Sequence, residues 1–580
     1  MPTTCRPWGI RVYSSCLLYT SDAADERADL AELIQAQAAA LDLCAPEPLW
    51  ITDAEARIDA LNRQVLELEY TLIPHGLHVV GAPPSQEQRV DLLLAIAESA
   101  HQAQPERVVL AALAAGETPE RALALGAMPA SADNLALMKS LAETDRLLQT
   151  EYEIPALLRA LDGRYLRPAP GGDLLRTPAI LPTGRNLHGF DPYRIPSSYA
   201  VKDGARQAER LLARYTTEGH PAPECVALVL WGTDNLKTEG GPIAQALALI
   251  GARPRFDSFG RLCGAQLIPL EELGRPRIDV VMTLSGIFRD LLPLQTRLLA
   301  EAAYLAASAE EPEDQNFVRK HALAYQAEHG VDLETAALRV FSNADGAYGA
   351  NVNYLVDSSR WDEGDELAET YTRRKCFAYG RAGQPRAEAK LLTSVLGTVD
   401  LAYQNLDSVE LGVTSIDHYF DTLGGISRAV GRTRGSEVPV YIGDQTHGDG
   451  VVRTLAEQVA LETRTRMLNP KWYEGMLEHG YEGVRQIEAH VTNTMGWSAT
   501  SGQVAPWVYQ RLTETYVLDD AMRERLAALN PTASAKVASR LIEAHERNYW
   551  SPDPDTLEAL RRAGEELEDR LEGVYQEAAA

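Results

Sequence analysis

Long hydrophobic runs are missing from this 580-residue sequence. No uninterrupted apolar stretch approaches the ~18 residues that a membrane-crossing helix needs, so no integral membrane segment is expected. Positive charge is scarce. Lys and Arg number 55 against 82 Asp and Glu, a net charge of −27. Nucleic acids and anionic membranes both demand concentrated Lys and Arg, so neither is expected as the main partner. A small basic pocket remains compatible with that balance. Cysteine is sparse: Cys5, Cys16, Cys44, Cys225, Cys263 and Cys376 are scattered, with no CxxC pair and no zinc spacing. Unpaired thiols in a reducing compartment follow, and a soluble cytoplasmic protein is expected. GxxxxGK[ST] is absent, which excludes ATP hydrolysis by the P-loop route. GxSxG, HExxH and a GxGxxG after a strand are absent too.

Apolar residues make up 45% and charged residues 24%, an ordinary globular balance. The length calls for more than one core, and two to four domains are expected. Residues 1–26 stand apart. CLLYTSDAADE, Cys16 to Glu26, resembles the translation of a sequencing-library adapter, so this segment is expected to be non-native and is set aside from fold reasoning. Residues 27–160 read as mainly helical, because DLAELIQAQAAALDLCA and AEARIDALNRQVLELEYTLI repeat apolar residues every three or four positions. His75 and His78 fall in a Pro/Gly connector, where structural roles are expected. Residues 161–220 read as an irregular Gly/Pro-rich segment. Residues 221–440 read as an α/β domain: CVALVLWG and DVVMTLSGIF are buried strands, and PIAQALALIGA is a helix ending at Gly251. Residues 441–580 return to mainly helical periodicity. The expected fold class is mixed α/β, with a helical amino-terminal part, central parallel α/β layers carrying long irregular loops, and a mainly helical carboxyl-terminal part.

Three places bring together side chains able to do chemistry. GRNLHGFD places Arg185, Asn186, His188 and Asp191 within reach of an anionic ligand. A structural loop wrapped over a domain is the alternative. In parallel α/β layers ligands sit beyond the carboxyl ends of strands. That puts Thr233, Asp234, Asn235, Ser285, Arg289 and Asp290 at a cleft, although the same residue types also cap helices. TSIDHYFDTLGGISRA, residues 414–429, sets Asp417, His418 and Asp421 beside two aromatics and then breaks at Gly424–Gly425. Such a group handles protons, holds a metal, or forms an ordinary polar loop.

Several blocks carry a resemblance: LWGTDNLKTEGGPIAQALALIGARP, GRPRIDVVMTLSGIFRD, EPEDQNFVRKHA, LNPKWYEGMLEHGYEG and NTMGWSATSGQV. In this order, from about Arg27 to the carboxyl end, they resemble the large porphyrin-binding subunit of magnesium chelatase. That family shares an ancestor with the large subunit of cobaltochelatase. The resemblance implies insertion of magnesium into protoporphyrin IX on the way to chlorophyll or bacteriochlorophyll. Magnesium is then a substrate ion, and two AAA+ partner subunits hydrolyse the ATP. Metallation removes two pyrrole protons, so a base is needed near the ring. Magnesium prefers oxygen ligands. Under the resemblance, His418 and Asp421 are the candidate base and metal-handling groups. Asp417 and Glu410 are weaker candidates for the same chemistry. Arg185 and Arg289 are candidates for the porphyrin propionates, with Asn186, His188, Asp234 and Asp290 beside them in substrate binding. A cobaltochelatase subunit acting on a corrin precursor and a non-enzymatic tetrapyrrole-binding protein are the alternatives. The family's subunit is about twice as long. Its amino-terminal half carries a His-Gly-x-x-Glu block, with a catalytic Glu candidate, that has no match here. This chain by itself is therefore expected to be inactive.

Overall fold

The computed structural model describes residues 24–39, 41–50, 53–71, 76–169, 174–175, 177–187, 190–362, 364–446 and 450–573. Residues 1–23 of the suspected adapter segment, His75 and His188 lie outside the described residues. The chain forms two compact units. One comprises Met1–Leu77, Ala456–Met495 and Gln503–Ala580, and the other comprises His78–Leu455 and Gly496–Gly502.

The described part of the first unit is helical. Asn530 and Asp553 cap its last two helices, Pro531–Glu546 and Pro554–Glu572, each by accepting a backbone N–H with its side chain. Proline at the start of both helices suits a position whose N–H has no helical partner. Trp472, Tyr509, Tyr516 and Leu541 fill its core. His490 is buried there with its ring edge-on to Trp472 at 4.8 Å. Loss of hydration pushes its pKa down to about 3, and the nearby Arg466 adds to the shift.

The second unit is built on an eight-stranded sheet. We number its strands β1 Cys225–Leu230, β2 Asp279–Leu284, β3 Val340–Ser342, β4 Phe377–Tyr379, β5 Pro385–Ala387, β6 Leu401–Leu406, β7 Val440–Asp444 and β8 Val451–Thr454. Their spatial order is β8-β7-β6-β1-β2-β3-β4-β5. The five central strands are parallel, while β4, β5 and β8 pair antiparallel at the two edges. Every residue of β1, β2 and β6 is buried. Strands covered on both faces read as continuous apolar runs, which is how CVALVL and DVVMTL stand out in the sequence.

Three boundaries differ from the sequence reading. Residues Ser198–Thr217 form a helix that Ser197 caps, so the irregular segment ends before 198. Its buried stripe of Ala200, Gly204, Ala208, Leu211 and Tyr215 is interrupted by charged residues, and that polarity obscured the period. The sheet also runs past residue 440, through β7 and β8 to Thr454. The mainly helical stretch therefore begins after that strand pair. The first and last parts of the sequence belong to one unit, which local periodicity does not reveal.

Candidate functional site

The sheet order locates a crevice. From β1 the chain proceeds to β2 and β3 on one side, then returns to place β6 and β7 on the other side of β1. In open parallel sheets, ligands bind outside the carboxyl ends of the strands at such a reversal. Here that point lies at the ends of β1 and β6.

Trp231 follows β1 directly. Its indole N–H donates to Gln404 Oε1 on β6 at 3.0 Å, and its ring lies 5.2 Å from that of Tyr419. Gln404 is fully buried, and its Nε2 has no hydrogen-bond partner among the described residues. Gly232 begins the next turn. A Cβ there would come within 2.6 Å of the Phe288 backbone nitrogen, so the turn after β1 requires glycine to approach the turn after β2. Ser285, at the end of β2, accepts N–H groups of Gly232 and Phe288 at 3.1 Å each. It thereby caps helix α1, Gly286–Leu291.

Arg289 and Asp290 sit on α1. Arg289 is only 6% exposed. Its Nη1 donates to the carbonyls of Ala344 and Ala347 at 2.8 Å each, and its Nε donates to Asp290 Oδ1 at 2.7 Å. Asp290 also accepts the Tyr348 hydroxyl at 2.5 Å. This pair staples the loop after β3 to the carboxyl end of the sheet. The guanidinium holds the Asp290 carboxyl below the usual carboxylate range.

The stretch from 414 to 429 lies beside this loop. Asp421 is fully buried. It accepts backbone N–H groups from Ala350 at 2.6 Å, Val352 at 2.7 Å and Asn353 at 3.1 Å. These are the donors at the start of helix α2, Val352–Asp357. Burial pushes the Asp421 carboxyl upward, and the three amides together with the Lys375 charge hold it down, with a net upward result. Lys375 is buried as well. It donates to Asn343 Oδ1 at 2.9 Å and the Leu284 carbonyl at 3.2 Å, and desolvation lowers its pKa to about 8. Asn353, fixed through its own N–H, donates its side-chain amide to Asp417 Oδ2 at 2.6 Å. Asp417 Oδ1 lies 3.5 Å from Nδ1 of His418, whose side chain is 61% exposed. A carboxylate that is itself held in place thus stands beside an accessible imidazole. Ile287, Leu291, Tyr348, Tyr354 and Leu411, on elements that follow the strands, are large apolar side chains left exposed.

The expected site residues therefore separate. His418 is accessible, and Asp417 is half-buried beside it. Glu410 is exposed on the loop after β6. Asp234 is buried at the end of β1. Asp421 is enclosed by the backbone amides of Ala350, Val352 and Asn353. Arg289 is committed to the loop after β3. Arg185 is spent on the carbonyls of Ala179, Leu181 and Pro182, at 2.9, 2.5 and 3.1 Å, so it closes its own loop rather than offering an open fork. Asn186 lies in a two-residue strand paired with Pro168–Ala169. Sequence reasoning passed over Trp231, Asn353, Lys375 and Gln404. The aromatic directly after CVALVL was the one available signal for Trp231.

At the opposite end of the sheet, Cys225, Asp279 and His321 place ligand-type atoms within 4.8 Å of one another. Both Asp279 oxygens already face Arg339 Nε at 2.9 Å, and His321 Nδ1 is 3.0 Å away. The Asp279 charge is met by the Arg339 guanidinium, as in a buried structural ion pair.

Comparisons with known proteins agree in direction. The chain matches the family model described as CobN/Magnesium Chelatase over residues 15–143 and 102–557. It is 59% identical over 563 residues to a magnesium-chelatase subunit of Cereibacter sphaeroides, covering 96% of this chain and 42% of that one. It is 36% identical over 411 residues to the aerobic cobaltochelatase subunit CobN of a Sinorhizobium species, covering 69% and 32%. The solved catalytic subunit of cobaltochelatase from Mycobacterium tuberculosis superposes with a TM-score of 0.83 at 34% identity, covering 94% of this chain and 52% of that one. The chain spans less than half the length of the curated relatives it matches.

Proposed function

The chain belongs to the CobN/magnesium chelatase family, and from that premise we propose that it is the carboxyl-terminal portion of a magnesium chelatase large subunit. In this reading the whole subunit holds protoporphyrin IX while magnesium is inserted, for chlorophyll or bacteriochlorophyll synthesis. Two AAA+ partner subunits supply ATP hydrolysis, and the assembly works in the cytoplasm. The supporting observation is 59% identity over 96% of the chain to a magnesium-chelatase subunit, against 36% to a cobaltochelatase subunit.

The site beyond the carboxyl ends of the strands suits the chemistry. Each metallation releases two pyrrole protons, and a neutral imidazole is a competent acceptor near neutral pH. His418 is reachable, and Asp417 stands where it stabilises the imidazolium that forms. Asp417 is held by Asn353, and Asn353 by Asp421. We assign His418 as the base, Asp417 as its partner and Asp421 as a positioning residue. Magnesium arrives strongly hydrated and favours oxygen donors. Asp417 and Glu410 are the reachable carboxylates for it. The exposed apolar side chains beyond the strands provide surface for a flat macrocycle.

The test is a metallation assay with the full-length subunit and its two partners. His418→Ala is expected to lower kcat by about 10²–10⁴-fold with a small change in porphyrin affinity. Unchanged turnover would remove His418 from the chemistry. The chain as given is expected to bind a soluble porphyrin without metallating it. Robust magnesium insertion by this chain with its partners would refute that part.

A further inference from the structure

The helix Glu153–Leu161 buries none of its residues. Ile154, Leu157, Leu158 and Leu161 repeat at spacings of three and four, and all four are exposed, Leu161 by 77%. That is a complete apolar stripe turned to solvent. Beside it lies a cleft of about 670 Å³, within the roughly 300–1,000 Å³ that small-ligand sites occupy.

The lining of this cleft joins two chemistries. Pro155, Leu158, Tyr165 and Leu166 supply apolar surface. Arg159, Arg164, Arg167 and Arg185 supply four cations against the single carboxylate of Asp162. The whole chain carries a charge of −27, so this local balance is opposite in sign to its surroundings. Two of the four cations are already engaged. Arg164 pairs with Asp162 at 3.1 Å, and Arg185 closes its own loop. Arg159 gives only its Nε, to the Tyr165 carbonyl at 2.9 Å, which leaves both Nη groups available. The Arg167 guanidinium makes no hydrogen bond or ion pair with the described residues. Two uncommitted guanidinium groups beside an apolar wall match a flat apolar molecule carrying two carboxylates.

We propose that this cleft binds the carboxylate edge of a tetrapyrrole through Arg159 and Arg167. The proposal rests on the tetrapyrrole-binding reading given above and adds to it a place, since none of the cleft's residues belongs to the site beyond the carboxyl ends of the strands. Guanidinium pairs with carboxylates in two-pronged fashion, which favours a dicarboxylic ligand over a neutral one of the same shape. The apolar wall disfavours a bare phosphate.

The experiment is a fluorescence-quenching titration of this chain with deuteroporphyrin IX and with its dimethyl ester, which has the same ring without charge. The variants are Arg159→Gln/Arg167→Gln and, separately, Leu158→Glu. All three substituted residues are exposed, and a circular dichroism melt matching the wild type shows that the fold is intact. The wild type is expected to prefer the free acid. The double variant is expected to bind the acid about two- to thirty-fold more weakly, as two exposed ion pairs allow, and to lose the preference over the ester. Leu158→Glu is expected to weaken both ligands. Free-acid binding that is unchanged in the double variant would overturn the cleft while leaving the tetrapyrrole reading intact. So would equal affinity of the wild type for acid and ester, or a Leu158→Glu variant that binds both ligands as the wild type does. No quenching by either porphyrin would defeat both the cleft and the reading it rests on.

Discussion

Replacing Asp421 by Ala tests whether this carboxylate holds the loop or handles the metal. Its oxygens accept three backbone N–H groups, at 2.6, 2.7 and 3.1 Å, and no water reaches them. Truncation leaves three buried donors without an acceptor and removes the nearest anion from buried Lys375. Hydrogen bonds to a charged group are worth about 1.5–3 kcal/mol each, and they are not additive. The carboxylate also carries a burial cost, which its raised pKa records. A net loss of about 3–5 kcal/mol follows, the range found when one partner of a buried charged network is removed. Asp421→Asn keeps an acceptor but turns an NH₂ toward the remaining donors, so about half that loss is expected. Hydrogen exchange is the direct assay. The amides of Ala350, Val352 and Asn353 are expected to exchange about two to four orders of magnitude faster in Asp421→Ala, in line with the lost free energy. A variant that keeps its amide protection and thermal transition, while the same substitution in the full-length subunit abolishes metallation with its partners, would refute the argument. Asp421 would then be a metal-handling carboxylate after all.

Other changes separate structure from chemistry elsewhere. His418→Gln touches an exposed side chain, so stability should move by less than about 0.5 kcal/mol while metallation by the full-length subunit falls; a joint fall in both would argue against a base. His490 has a folded-state pKa of about 3 against an ordinary 6.5, so the unfolded chain binds the extra proton between those values. Stability is therefore full above about pH 6.5 and lost as pH falls, by about 2 kcal/mol at pH 5, and His490→Gln should flatten that acid limb in pH-dependent melts. Arg289→Lys keeps the charge but loses the fork that reaches two carbonyls and Asp290. A destabilisation of about 1–3 kcal/mol is expected, with faster exchange in the 343–348 loop. Gly424→Ala would set a Cβ 2.3 Å from the Thr500 hydroxyl oxygen. A lower melting transition, by about 1–3 kcal/mol, is the expected result of that overpacking.

How much of this was legible depended on distance along the chain. Strands β1 and β2 were readable because parallel strands covered on both faces are apolar along most of their length. The helix Gly241–Ile250 was readable because Gly251, with φ of 77°, marks its end. The sheet order was not readable, since β6 returns to pair with β1 after some 170 residues of intervening chain. The role of Asp421 was hidden for the same reason. Its three donors lie 71, 69 and 68 positions away, and nothing near it in sequence names them. Arg185 was legible as a cation and not as a loop clamp, because its acceptors are backbone carbonyls that every residue carries.

Local helical geometry divides the labour within DHYFD. Asp417 and Asp421 are four residues apart, and in an α-helix they would share a face with each other and lie near His418. A single turn, Asp417–Tyr419, passes instead into a π-helical turn, Phe420–Gly424. The wider turn shifts the register, and such turns recur at functional sites. Its result is that Asp421 is carried into the interior to meet α2, while His418 stays in solvent. Gly424 and Gly425 make this possible, because a Cβ on either would collide with Thr500 or with the ring of Tyr371. The base proposed at His418 has to be reached by its substrate, and the positioning role proposed for Asp421 calls for shielding from competing water. The change of pitch within one five-residue stretch leaves the first side chain open and encloses the second.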